Sequence, residues 1–475
     1  MKMLVIVPIL LLVVCPCFAI TITVDDDGPA DYSNIQDAID SASDWDVVEV
    51  QPGTYYETIN FYGKSITVTG SDVDDMGVIY STSIDGGTAA NTVTFDSGED
   101  ADSLLTGIMI ENGNTGIYCY YSDPTIKKCV VKYANSADEA GIYGYGAQPQ
   151  IEDCIVRENA GDGIYDCDGQ IINCEVRENF GNGIDSCGDL ILQCTVADNS
   201  GNGLTGCDGN IRQCTVTGNT MGLYHCNGQI KECIVSNNSS TGVNPYDATN
   251  VEILNCVVSG NRGNGIVIHR EGRIIGCTIT GNKLDGIQTD SGGWGGCQVF
   301  LFNNIVVNNG DYGISSSGTT ITTLKYNNIW NNVSGNYTGL PPGETDTHSN
   351  PFFAVDGYWN IDDEWVEGDY HLKSIAGRWT GTNWANDAIT SLCIDAGDPT
   401  SVYSLETEPN GDRINQGVYG GTIYASKSPY GPEPYCGEHI PYDTNDDCKI
   451  NLEDFAEWAT YWMTCNLVPQ SACWE

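Results

Sequence analysis

Gly163-Ile164-Tyr165-Asp166-Cys167-Asp168-Gly169-Gln170-Ile171-Ile172-Asn173-Cys174-Glu175-Val176-Arg177-Glu178-Asn179 is one copy of a phrase that recurs through the middle of the chain. Its opening glycine returns at Gly116, Gly141, Gly163, Gly183, Gly203, Gly222, Gly242, Gly265, Gly286 and Gly313, at separations of 25, 22, 20, 20, 19, 20, 23, 21 and 27 residues. A cysteine series keeps the same beat at Cys129, Cys154, Cys174, Cys194, Cys214, Cys233, Cys256 and Cys277. Periods of this size mark a stacked repeat whose units cannot bury their apolar faces alone. Each unit holds about three short strands with alternating apolar positions, divided by Gly, Asn and Asp. Twenty residues cannot form a strand–helix unit with two loops, no 3.6-residue period appears, and the Leu-x-x-Leu-x-Leu frame is absent. The expected fold class is all-β, a parallel β-helix solenoid in which Ile164, Ile171, Cys174 and Val176 point inward.

In-register coils place each residue above its counterpart. The eight cysteines then form one internal ladder, and Cys167, Cys187, Cys207 and Cys226 a second. Neighbours in such ladders have parallel Cβ vectors, a poor disulfide geometry, so they read as buried free thiols, with metal binding the lesser alternative. Asn159, Asn179, Asn199, Asn219, Asn238, Asn261 and Asn282 are expected to take left-handed bends and to bond amide to amide along the stack.

Around this rod the chain divides into six parts. Residues 1–19 read as a secretory leader, with Lys2, an apolar Leu4–Val14 core and Cys17-Phe18-Ala19 as cleavage site, too short to span a membrane. Residues 20–115 supply an N-terminal capping helix, with Ile35, Ala38 and Ile39 on one face, and the first rungs. The regular repeats fill 116–335, less regular rungs and a loop-rich aromatic cover 336–428, a proline-rich linker 429–441, and a small module 442–475. The net charge of −45 argues against nucleic acid and anionic membrane as partners and suits an exported, soluble, monomeric protein, extracellular, at the cell surface or in the periplasm.

The repeat resembles the right-handed parallel β-helix superfamily, the pectate-lyase-like fold, and Val24-Asp25-Asp26 through Pro52-Gly53-Thr54-Tyr55 resembles the usual entrance to such helices. The resemblance spans roughly residues 20–425 and implies a prior for carbohydrate, since lyases, hydrolases and epimerases share the fold. At the C-terminus, Asp443, Asn445, Asp447, Asn451 and Asp454, with the carbonyl of Lys449, have the spacing of a twelve-residue calcium loop. Phe455, Trp458, Ala459, Trp462 and Met463 then line one face of a helix. This small α-helical, EF-hand-like module resembles a dockerin repeat, implying calcium as cofactor and a cohesin-like protein partner. Cys448 stands where the turn usually takes Gly, and a second loop is missing. Cys436, Cys448, Cys465 and Cys473 allow three disulfide pairings, all left open.

Catalytic residues are harder to place. Lys132, Arg157 and Arg177 share a column three residues past the ladder cysteine, with Glu158 and Glu178 beside them and Asp162, Asp166, Asp168, Asp185 and Asp189 on nearby turns. A lyase groove can be drawn there, and so can a pattern of charges that pair across rungs. His269 and Arg270 replace a cysteine step in the eighth rung and make the other candidate. The sequence therefore supports a polysaccharide-binding or polysaccharide-degrading protein, against a non-catalytic surface rod with a folding cap.

Overall fold

The computed structural model describes residues 19–429, apart from 89, 247–248, 291–296 and 319. The leader up to residue 18, the linker from 430, and the loop with Asp443, Asn445, Asp447, Lys449, Asn451 and Asp454 lie outside the described residues, as do Cys436, Cys448, Cys465 and Cys473.

Three parallel sheets run the length of the solenoid. The first has 14 strands, from Thr21–Val24 to Thr320–Lys325; the second has 13, from Gly53–Tyr55 to Asn328–Trp330; the third has 13, from Ile59–Asn60 to Gly335–Thr338. About 13 coils at about 4.8 Å each give a rod of roughly 60 Å. In the quoted phrase Asp162–Cys167 belongs to the third sheet, Ile171–Ile172 to the first and Glu175–Arg177 to the second.

The register is strict. Ile164 lies over Ile184 and Leu204, Ile171 over Ile191 and Ile211, and Val176 over Val196 and Val216. All these side chains are buried in a single core that continues along the rod. Each such aliphatic side chain contributes about 2 kcal/mol by leaving water. The thiols of both ladders are buried and free, and each ladder Sγ donates to the carbonyl two residues earlier, as Cys194 does to Leu192 at 3.4 Å.

The corners differ from expectation in one respect. The ladder asparagines are not left-handed; the residue before each one is. Glu178 has φ +57° ahead of Asn179, and Asp198 has φ +56° ahead of Asn199. The cysteine ladders obey the same rule, with Asn173 at φ +53° before Cys174 and Asp166 at φ +53° before Cys167. A single left-handed residue turns the coil and swings the next side chain into the interior. The corner residue itself ranges from exposed, as at Glu178 and Asp198, to buried, as at Gly260 and Asn303, while its successor is buried. Once inside, the asparagine amides need partners. Nδ2 of Asn179 donates to Oδ1 of Asn199 at 2.9 Å, and the chain of bonds runs on through Asn219, Asn238, Asn261, Asn282 and Asn309 to Asn332. Where the cysteines stop, Asn304 and Asn327 take their places and bond to each other at 3.0 Å.

Helix α1, Ile35–Ser41, starts at the Asn34 cap and buries Ile35, Ala38 and Ile39. Helix α2, Met76–Ser81, was not foreseen from the sequence; it interrupts the path between the first and second sheets and buries Ile79. Residues 341–429 fold back over the outer face of the second sheet. Val257, Ile305 and Val307 of that face join Phe353, Tyr370, Leu372, Cys393, Ile394 and Val418 in a second core. Trp365 lies flat on the backbone there: a Cβ at Gly260 or Gly281 would sit 2.0 Å from its ring. Among the described residues no helix is long and apolar enough to cross a membrane.

Candidate functional site

Lys132, Arg157 and Arg177 do form one column on the second sheet, in strict register. Each is engaged. Lys132 pairs with Glu111 at 3.4 Å, Arg157 with Glu158 at 3.0 Å, and Arg177 with both Glu175 and Glu178, the latter at 2.6 Å. The Tyr133 hydroxyl, followed by Arg157, holds the Glu158 carboxyl below its ordinary value. Only the Lys132–Glu111 pair crosses a rung; the two arginines pair with glutamates of their own coils, against the expectation of pairing across rungs.

The aspartates expected beside it are not brought to it. Asp162 and Asp185 lie past the Asn159–Asn179 corner, on the third sheet. His269 and Arg270 are farther still, following the strand Ile266–Ile268 five coils above Ile164. The His269 ring meets Tyr246 edge-on at 5.1 Å, and burial lowers its imidazole below the ordinary value. Two separate places thus hold the candidates, Lys132, Arg157 and Arg177 on the one hand and His269 and Arg270 on the other.

A different constellation occupies the outer face of the third sheet. Tyr118, Tyr143 and Tyr165 stack in register, with ring centroids 5.5 and 5.2 Å apart and planes within 15° and 27°. Tyr120 and Tyr145 form a parallel pair at 5.5 Å, and Tyr121 meets both edge-on. Because the rings stack along the rod, they offer edges and hydroxyls outward rather than faces. The next position in the column after Tyr165 is Asp185. Asn182 joins it to Asp162: its N–H donates to Oδ1 of Asp162 at 2.5 Å and its Nδ2 to Oδ2 of Asp185 at 2.8 Å. Ser186 Oγ donates to Oδ1 of Asp185 at 2.8 Å.

Burial raises both carboxyls above their ordinary value, and the charge of Asp185 adds to the effect on Asp162. Asp166 is raised by burial and then by Asp168, and Asp189 stands exposed on the following turn. A carboxyl whose burial holds its proton more tightly, beside a second carboxylate, is the kind of pair that can give and take a proton at a glycosidic oxygen. The sequence signal for the column was there to read: Gly-Ile-Tyr opens three successive repeats, at Gly116, Gly141 and Gly163.

Residues 98–225 match a family described as right handed beta helix region, and residues 221–397 match one described as disaggregatase related. The chain is a right-handed parallel β-helix. Its structural neighbours include pectate lyase Pel9A, 16% identical over 84% of this chain and 96% of that one, with a TM-score of 0.41. The A-module of mannuronan C-5 epimerase AlgE4 of Azotobacter vinelandii is 15% identical over 66% and 95%, with a TM-score of 0.38. A PL6-family alginate lyase, AlyGC, is 13% identical over 69% and 53%, with a TM-score of 0.46. No curated protein sequence matches the chain.

Proposed function

We propose that this is an exported protein that binds a neutral polysaccharide along the third sheet and hydrolyses it at Asp162 and Asp185. The observation that carries the reading is the continuation of the Tyr118–Tyr143–Tyr165 column into Asp185, itself tied through Asn182 to a second carboxyl raised by burial. The row of hydroxyls would hold the chain of sugars, and the two carboxyls would flank one glycosidic bond as acid and base or nucleophile. A neutral polymer suits the acidic face better than a uronate, whose carboxylates Asp162, Asp166 and Asp185 would repel. Elimination chemistry is disfavoured, because the arginines that could act as base are held by glutamates.

The remaining parts fit that reading. Residues 1–19 would direct export, placing the mature protein outside the cytoplasm. Helix α1, against the first strands, would close the open end of the stack. The calcium loop at Asp443, Asn445, Asp447, Lys449, Asn451 and Asp454 would order a dockerin-like module that docks a cohesin-like partner or displays the rod. The rival reading, a non-catalytic surface rod, draws on the neutralised Lys132–Arg157–Arg177 column.

Affinity electrophoresis against neutral and acidic polysaccharides separates the readings. Retardation by a neutral polymer that Tyr143→Ala and Tyr165→Ala abolish supports the third-sheet site. Retardation by none of them favours the rod.

A further inference from the structure

The cover over the second sheet hides two carboxylates that the proposed reaction does not use. Glu406 is 4% exposed. Its Oε1 accepts the N–H of Asn415 at 2.9 Å and that of Gly421 at 2.7 Å, while its Oε2 is buried without a hydrogen-bond donor. Asp395 comes from the other arm of the same loop. Its Oδ2 accepts the Ser428 hydroxyl at 2.6 Å, and its Oδ1 is likewise buried without a donor.

Asn415 ties the two together. Its Oδ1 accepts the Asp395 N–H at 2.8 Å, and its own N–H is the one that reaches Glu406. The charge of Asp395 is felt at Glu406. Gly411, left-handed at φ +61°, lets the backbone close on Asp395, where a Cβ would fall 2.3 Å from Oδ2. Arg413, whose charge reaches Asp395, directs its donors to the carbonyls of Gly397 and Ala396 and its plane to the Tyr326 ring.

A buried carboxylate oxygen without a donor costs about 1–3 kcal/mol, and the charge of Asp395 adds to that cost at Glu406. A hard divalent cation removes both penalties, completing its shell from carbonyls and water. We propose that Glu406 Oε2 and Asp395 Oδ1 hold a calcium ion that pins the two arms of the 395–428 loop over the solenoid. No helix or strand forms between Ala385 and residue 429, so the loop has no ladder of backbone bonds to hold it. The rival occupant is a shared proton, since burial above all pushes Glu406 up to about 7.

The test uses the full chain carrying Asp443→Ala, which silences the separate C-terminal loop, after removal of metal with a chelator. Terbium luminescence competed by calcium, together with the thermal midpoint in calcium, should show one saturable cation per chain and a midpoint raised by several degrees. Adding Glu406→Gln should abolish both. Should that variant fail to accumulate, Asp395→Asn replaces it, expected to lose both in the same way. The proposal is overturned if the Asp443→Ala chain shows no saturable signal, or if the signal survives Glu406→Gln. It is equally overturned if Glu406→Gln in the metal-free chain matches or exceeds its parent in stability and calcium shifts neither, the mark of a shared proton. Calcium uptake lost entirely on Asp443→Ala would assign all of it to the C-terminal loop and overturn the proposal; uptake that the parent and the Asp443→Ala chain share, and that Glu406→Gln removes, supports it.

Discussion

Asp185 stands one coil beyond Tyr165, in the register position that Tyr143 and Tyr118 fill on the two preceding coils. The column resumes with the hydroxyls of Thr205 and Tyr224 on the next two coils, so the carboxyl is a chemical boundary within a hydroxyl-bearing face. A polymer lying along the rod would meet hydroxyls on either side and a titratable group between them.

That boundary has a pH signature. Burial raises the folded-state values of Asp162 and Asp185 above the ordinary carboxyl value of about 3.9. The folded chain therefore binds more protons than the unfolded one between the two values, and stability falls as pH rises through that window. Below the ordinary value both states are protonated and the penalty is absent. Asp162→Asn should flatten the decline, seen as a smaller loss of urea midpoint between acidic and neutral pH than in the parent. An unchanged slope would mean that Asp162 is solvated.

The asparagine ladder makes a sharper claim on stability. Asn199 Oδ1 accepts both the N–H and the Nδ2 of Asn179, at 3.0 and 2.9 Å, and its own Nδ2 donates to Val176 and Asn219. Asn199→Ala orphans several buried groups at once and should cost about 3 kcal/mol or more in urea unfolding. Asn199→Asp keeps the acceptor and loses the donor, and should also destabilise, because it buries a charge.

The ladder thiols should be inert. Burial raises Cys119, Cys167 and Cys187 far above the ordinary thiol value. Thiolate is the reactive form, so alkylation of the native protein should leave the ladder peptides unlabelled, while denaturation exposes them all to the reagent. Rapid labelling of Cys194 or Cys207 in native buffer, read by peptide mass spectrometry, would contradict the buried ladder.

Trp365 should fasten the cover. It lies over Gly260 and Gly281, and Glu367 nearby accepts the Ser259 and Tyr370 hydroxyls, at 2.8 and 2.5 Å. Trp365→Ala should cost about 3 kcal/mol locally and open residues 341–429 to proteolysis before the solenoid itself is cut.

Much of this was legible in the sequence, because a stacked repeat converts spacing into position. The Gly and Cys series placed Ile164, Cys174 and Val176 inside and put Arg157 over Arg177. The corners were less legible. A residue's left-handed bend depends on where the coil must turn, and polar residues as different as Glu178, Asp198, Asn173 and Gln193 all serve. The asparagine that follows is the more regular letter, and it drew the assignment that belongs to its neighbour. The grouping of Arg157 with Asp162 and Asp185 on one face failed for a related reason. Arg157 and Asp162 are five positions apart, close in sequence, yet a corner separates them onto two faces. Tyr165 and Asp185 are twenty apart and adjacent in space. The Asp395–Glu406 pair left no repeat to read, since it is made by a loop that closes only in three dimensions.

The central claim is that the third sheet carries the chemistry. The most direct measurement is release of new reducing ends from a neutral polysaccharide that the protein binds, comparing the parent with Asp162→Asn, Asp185→Asn and Arg157→Ala. The account predicts turnover in the parent, a loss of at least about a hundredfold in each aspartate variant with binding retained, and no change in Arg157→Ala. Turnover that survives both aspartate substitutions and disappears with Arg157→Ala would place the reaction on the second sheet and contradict it.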